Sequence, residues 1–173
     1  MDTKLTGKTR IESDLIGARE IPAEALYGVQ TLRGIENFSI SKFRLSEYPL
    51  FIKGLAITKM AAAMANFELG LLTVEQKDAI IAACGEIIDG KHHDQFPVDM
   101  IQGGAGTTTN MNANEVIANR ALELMGHERG EYQYCSPNDH VNCSQSTNDA
   151  YPTAIHIGMY FKHLKLLPHL EEL

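Results

Sequence analysis

Between Pro49 and Gly90 the residues leave little choice of local structure. Phe51, Leu55, Thr58, Ala62, Ala65 and Leu69 recur four and three positions apart, the spacing of one face of an α-helix. Met60 to Ala65 is rich in small side chains, which lets another helix come close. Gly70 is placed to close this helix with a left-handed residue. Thr73 and Gln76 then form a capping-box pair that opens a second helix through Ile80, Cys84 and Ile87. Gly90 is its natural stop. The pattern predicts a helical hairpin.

Two later stretches read as polar helix starts. In Gln102-Gly103-Gly104-Ala105-Gly106-Thr107-Thr108-Thr109-Asn110-Met111-Asn112-Ala113-Asn114-Glu115-Val116, glycines permit backbone conformations that a side chain would block. The pattern then turns helical through Val116, Ala121 and Leu124 to Gly126. No Gly-Lys-Ser/Thr ends this loop and no β-branched strand leads into it, so neither a Walker loop nor a dinucleotide fingerprint fits. In the second stretch, Pro137 to Thr153, the residues Ser146, Thr147, Asn148 and Asp149 are all N-cap types and Pro152 suits a first turn. A helix is expected to begin near Asp149 to Pro152. Each start alone is an ordinary cap with spare polar residues. Two in one chain favour a shared small-anion site, because helix N-termini present N–H groups and positive dipole ends.

The final helix carries Ala154, Ile155, Met159, Phe161, Leu164, Leu166 and Leu167 on more than one side, the mark of a buried element. Met1 to Arg10 is polar without periodicity and reads as a mobile tail. Arg10 to Tyr27 reads as extended segments and turns. Arg33 is expected in a surface ion pair. His92 and His93 are neighbours on one backbone with no further ligand at a metal-site spacing, which favours a solvated loop over a metal centre.

Net charge is −7 and no basic run occurs, which argues against nucleic acid as a partner. The same balance means that an anionic substrate must be held by local donors. Three cysteines with no preceding signal peptide fit reduced thiols in the cytoplasm. No apolar run is judged to approach the roughly 20 residues of a membrane span.

Gly103 to Val116 and Ser144 to Thr153 resemble the first two motif regions of the aspartase/fumarase superfamily. The likeness extends from Arg10 to Leu173, through Ile21-Pro22-Ala23, Tyr27-Gly28-Val29-Gln30-Thr31-Leu32-Arg33, Asp94 to Asp99 and Glu131 to Tyr134. Ser146-Thr147-Asn148-Asp149 is similar to the aspartase branch, whereas class II fumarases usually carry Ser-Ser-Asn-Asp. Ala105-Gly106-Thr107 points the same way, since fumarases tend to have Ser-Gly-Thr. Ser136-Pro137-Asn138-Asp139 stands where fumarases carry His-Pro-Asn-Asp, which weakens a fumarase reading of that secondary anion site.

The resemblance implies a mainly α chain. Residues 1–140 would form an N-terminal helical domain with short extended segments, and 141–173 the start of a long central helix bundle. It implies reversible loss of ammonia from L-aspartate to give fumarate, through an enediolate and without an organic cofactor, and no residue of this chain is assigned to a metal. Thr107, Ser146 and Thr147 would hold the β-carboxylate, with Thr107 and Asn148 also near the amino group. The family's general-base serine sits on a mobile Gly-Ser-Ser loop, followed by a lysine and an asparagine that grip the α-carboxylate. No Gly-Ser-Ser occurs here, so no catalytic residue is expected in the chain, which is expected to be an N-terminal fragment. The family also implies a homotetramer, with each site drawn from three subunits. The alternatives are a class II fumarase and a non-catalytic dicarboxylate-binding domain.

Overall fold

The computed structural model describes residues 7–173. A two-stranded antiparallel hairpin, β1 (Thr9–Asp14) and β2 (Gly17–Pro22), leads into α1 (Val29–Asn37). Helices α2 (Pro49–Glu68) and α3 (Val74–Ile88) form the expected hairpin, followed by α4 (Thr107–Leu124) and α5 (Thr147–Glu171). Short 3₁₀ turns at Leu45–Glu47 and His93–Gln95 and a π-helical turn at Pro137–Val141 join them. The chain is mainly α, as the resemblance implies.

The capping signals act as read. Thr73 Oγ1 accepts from the Gln76 N–H at 3.2 Å, and Gln76 Oε1 accepts from the Thr73 N–H at 3.1 Å. Gly70, Gly90 and Gly126 all stop helices with positive φ. Ile80, Cys84 and Ile87 are fully buried against Val116, Ile117 and Ala121 of α4, which is the central helix of the core.

Four expectations need correction. The described part of the supposed tail is structured: Thr9 and Arg10 lie in β1, and Met1 to Thr6 lie outside the described residues. Arg10 is locked, its guanidinium donating to the Ala25 carbonyl at 2.7 Å, the Tyr27 carbonyl at 2.8 Å and Glu12 Oε1 at 2.7 Å.

The stripe on α2 fails after Thr58. Ala65 and Leu69 are exposed, and the buried face runs Ile52, Leu55, Ala56, Lys59, Ala63 and Asn66. A strict 3.5-residue repeat drifts off the core face of a straight helix, and two polar residues stand where the pattern sought apolar ones.

Helix α2 is also long and apolar enough to cross a bilayer by length and composition, with a mean hydropathy of 1.3 over its best window. Its inner face is nonetheless occupied by α3 and α5. At Gly54 a methyl group would run into the Ala154 carbonyl of α5, so the two backbones touch directly.

The fourth correction concerns α5, which begins two residues before the expected range. Only its first half is covered, through Ala150, Ala154 and Gly158. Met159, Leu164, Leu166, Leu167 and Leu170 are exposed, so this helix is not a buried one within the chain.

Candidate carboxylate site at two helix starts

Asp99 fixes the approach to α4. Its carboxylate accepts from Ser41 Oγ and the Ser41 N–H, both at 2.7 Å, from the Ile40 N–H at 3.0 Å and from the Ile101 N–H at 2.8 Å. These donors, the Ser41 hydroxyl first, hold its carboxyl at about 2. Gln102 follows, its amide oxygen accepting from the Thr109 N–H at 2.9 Å and its amide nitrogen donating to Thr109 Oγ1 at 2.7 Å. Gln102 therefore caps α4 from outside. The N–H groups of Thr107 and Thr108 keep no partner among the described residues, which is the condition for an anion to use them.

Gly106 makes the turn into α4 with φ +93°, and a side chain there would strike the Tyr151 ring of α5. The two helix starts are thus in contact. A second tie is polar: Asn110 Nδ2 donates to Thr147 Oγ1 at 3.1 Å and to Asn142 Oδ1 at 3.0 Å.

Each predicted residue has a definite place. Thr107 is the first residue of α4 and Thr147 the first of α5. Ser146 is the cap of α5, its hydroxyl oxygen accepting from the Asn148 N–H at 3.2 Å, which is why the helix starts there and not near Asp149. That hydroxyl retains its own hydrogen for donation. Thr107 and Asn148 are exposed, and their side chains have no hydrogen-bond partner among the described residues. They line different clefts, however. Thr107 faces a 770 Å³ cleft with Gln30, Arg33 and Asn138, and Asn148 a 550 Å³ cleft with Gly104, Gly106 and Tyr151. The four residues share a neighbourhood, not one enclosed cavity.

Arg33 makes the expected ion pair, but in a half-buried setting. It grips Asp14 through two bonds of 2.7 Å and the Gly17 carbonyl at 2.9 Å, and holds the Asp14 carboxyl at about 2. Ser136 closes the secondary turn on itself, since its hydroxyl accepts from the Asn138 and Asp139 N–H groups at 3.3 and 3.1 Å. Those two donors are occupied. His92 bonds Glu86 at 2.8 Å and His93 the Ile87 carbonyl at 2.9 Å. Among the described residues no group of three or more His, Cys, Asp or Glu could hold a metal ion.

Beneath the site lies a polar cluster that sequence patterning missed. Asn142 Oδ1 accepts from Lys59 Nζ at 2.9 Å, Asn110 Nδ2 at 3.0 Å and Asn114 Nδ2 at 3.2 Å. The Asn142 amide in turn donates to the Gln145 carbonyl at 3.0 Å, and Lys59 also reaches Gln145 Oε1 at 2.9 Å. Asn66 Nδ2 holds the Cys143 carbonyl at 2.8 Å. The available signal was the i, i+4 spacing of Asn110 and Asn114, one face of a buried helix.

A family model described as Lyase matches residues 17–173. The chain belongs to this lyase family. Within it, the lyase chain is 60% identical over 164 residues to aspartate ammonia-lyase of Helicobacter pylori strain J99, covering 95% of the chain and 35% of that protein. It is 56% identical over 170 residues to aspartate ammonia-lyase of Escherichia coli K12, covering 98% and 36%. The crystal structure of a fumarate lyase:delta crystallin from Brucella melitensis bound to cobalt superposes with a TM-score of 0.93 at 52% identity, over 95% of the lyase chain and 36% of that one. A class II fumarase from Schistosoma mansoni superposes with a TM-score of 0.81 at 39% identity, over 87% and 32%. The lyase chain thus spans about a third of the length of the curated relatives it matches.

Proposed function

We propose that this chain supplies the carboxylate-binding part of an aspartate ammonia-lyase, which converts L-aspartate reversibly to fumarate and ammonia. The carrying observation is the junction of two helix starts through Asn110 and Thr147, with uncharged donors gathered at both. Removing the proton beside the β-carboxylate builds a second negative charge on that group. Neutral donors fixed in advance suit this task, because they strengthen as the charge develops and need no reorganisation. Thr107, Ser146 and Thr147 are assigned to the β-carboxylate, and Asn148, with Thr107, to the amino group. The ammonia-lyase reading is supported over the fumarase by the 56–60% identity to aspartate ammonia-lyases, against 39% to the fumarase.

The general-base serine and the α-carboxylate grip are assigned to parts of a full-length lyase that this chain does not include. Residues 1–140 are assigned to a first domain and 141–173 to the start of a helix bundle. A homotetramer accounts for the exposed apolar residues of α5. The three free thiols support a cytoplasmic setting. The test is to compare fumarate formation from L-aspartate and from L-malate by a full-length lyase carrying this segment. Faster turnover of L-aspartate is expected. Faster turnover of L-malate would reassign it as a fumarase, and fumarate formation from neither would leave only a binding role.

A further inference from the structure

Lys59 is fully buried in the middle of α2, and no other Lys or Arg among the described residues is enclosed in this way. Its ammonium donates to Asn142 Oδ1 and Gln145 Oε1, both at 2.9 Å. Both acceptors are uncharged amides. No Asp or Glu among the described residues lies within ion-pair distance of it. The titratable group facing it from α3 is Cys84, which lies beside Cys135, and burial pushes both thiols up to about 12, so neither is an anion. Through Asn142 it is tied to the α4 amides of Asn110 and Asn114, and beyond Asn110 to the α5 hydroxyl of Thr147. A buried cation is stable when paired and loses its proton when it is not. Burial accordingly pulls the lysine down to about 7.

Among the described residues no counter-charge is supplied, and the hydrogen bonds of Lys59 lead toward the α5 start. Asn142 Oδ1 is shared by Lys59 and Asn110, and Asn110 also holds Thr147, so three hydrogen bonds through two amide side chains link the cation to the α5 start. We propose that Lys59 is a positioning residue whose counter-ion is the substrate: a carboxylate bound at Ser146, Thr147 and Asn148 completes the pair, and dicarboxylate binding therefore takes up a proton at this lysine. This rests on the carboxylate site proposed above. In the free protein the lysine is charged below about pH 7 and neutral above it. The bound anion favours the charged form and raises its titration point. Between those two points, affinity falls about tenfold per pH unit, and below pH 7 it is flat.

The test measures fumarate binding by calorimetry to a full-length lyase carrying this segment, from about pH 6 to 9, in buffers of different ionisation enthalpy. The wild type is expected to take up close to one proton per fumarate above pH 7, with affinity weakening up to tenfold per unit. Lys59→Arg keeps a charge that cannot be lost in this range, so it should bind fumarate with flat affinity and without that uptake. Lys59→Met, if folded, should bind more weakly and also without uptake. Absence of uptake in the wild type, or equal uptake in Lys59→Arg, would overturn the proposal while leaving the carboxylate site standing. Unchanged fumarate affinity in Ser146→Ala would instead remove the carboxylate site, and the proposal with it.

Discussion

The Asn110 amide nitrogen stands 3.1 Å from the Thr147 hydroxyl oxygen and 3.0 Å from Asn142 Oδ1, so one side chain of α4 ties the first residue of α5 to the turn before it. The donors at the two helix starts are consequently held by a buried polar core and not by the loops alone. Site geometry and chain stability are linked through the same few amides.

Asn142 is the first place to test that link. Its side-chain oxygen accepts from Lys59, Asn110 and Asn114 at once. Asn142→Leu would take one acceptor from each of three enclosed donors, leaving Lys59 with Gln145 alone and Asn110 with Thr147 alone, and an unsatisfied buried polar group costs roughly 1–3 kcal/mol. We expect a loss of about 3 kcal/mol in urea unfolding of the chain. A loss below about 0.5 kcal/mol, the range of an ordinary surface change, would show that the cluster does not hold the fold.

Gly106 tests the apolar contact between the helix starts. Its φ of +93° and the Tyr151 ring above it both exclude a side chain. Gly106→Ala should destabilise by about 3 kcal/mol, combining backbone strain with overpacking. Adding Tyr151→Ala should relieve the steric part and leave the strain. A fully additive double mutant would contradict the contact.

How far these features could be read from sequence depends on their range. Gly70, Gly90, Gly126 and the Thr73–Gln76 pair act within one helical turn, so the helix ends were legible. The start of α5 was not, because four adjacent residues are all good caps and only the Ser146 hydroxyl, bonded to the Asn148 N–H, decides among them. Lys59 and Asn66 escaped because a search for apolar stripes has no place for polar side chains on a core face. The cluster they join links residues 32 and 83 positions apart, beyond any local pattern. The four residues singled out by resemblance do gather at the helix starts, yet that Thr107 and Asn148 line different clefts required the structure.

Lys59 also makes stability depend on pH. Its folded-state titration point is lowered to about 7, so between there and the unfolded value the unfolded chain binds more protons. Stability therefore rises with pH in that window. Relative to Lys59→Met, the wild type should gain about 1.4 kcal/mol per unit from about pH 7 to 9. Equal slopes for the two proteins in urea unfolding would show that the lysine stays charged.

The outer half of α5 carries Met159, Leu164, Leu167 and Leu170 in the open. Apolar rows of this kind find a partner surface or aggregate. The isolated chain should therefore self-associate, show no ammonia-lyase activity, and become monomeric when Leu167 and Leu170 are replaced by Glu. Sedimentation giving a monodisperse wild-type monomer would refute the first statement, and measurable turnover the second.

The most direct measurement is the kinetics of Thr107→Ala and Ser146→Ala in a full-length lyase carrying this segment. Both residues are assigned to the charge that develops on the β-carboxylate, so kcat for L-aspartate should fall on the order of 10²-fold, the loss typical of one oxyanion donor. If KM alone rises and kcat is unchanged, these side chains bind the ground state and the assignment is wrong.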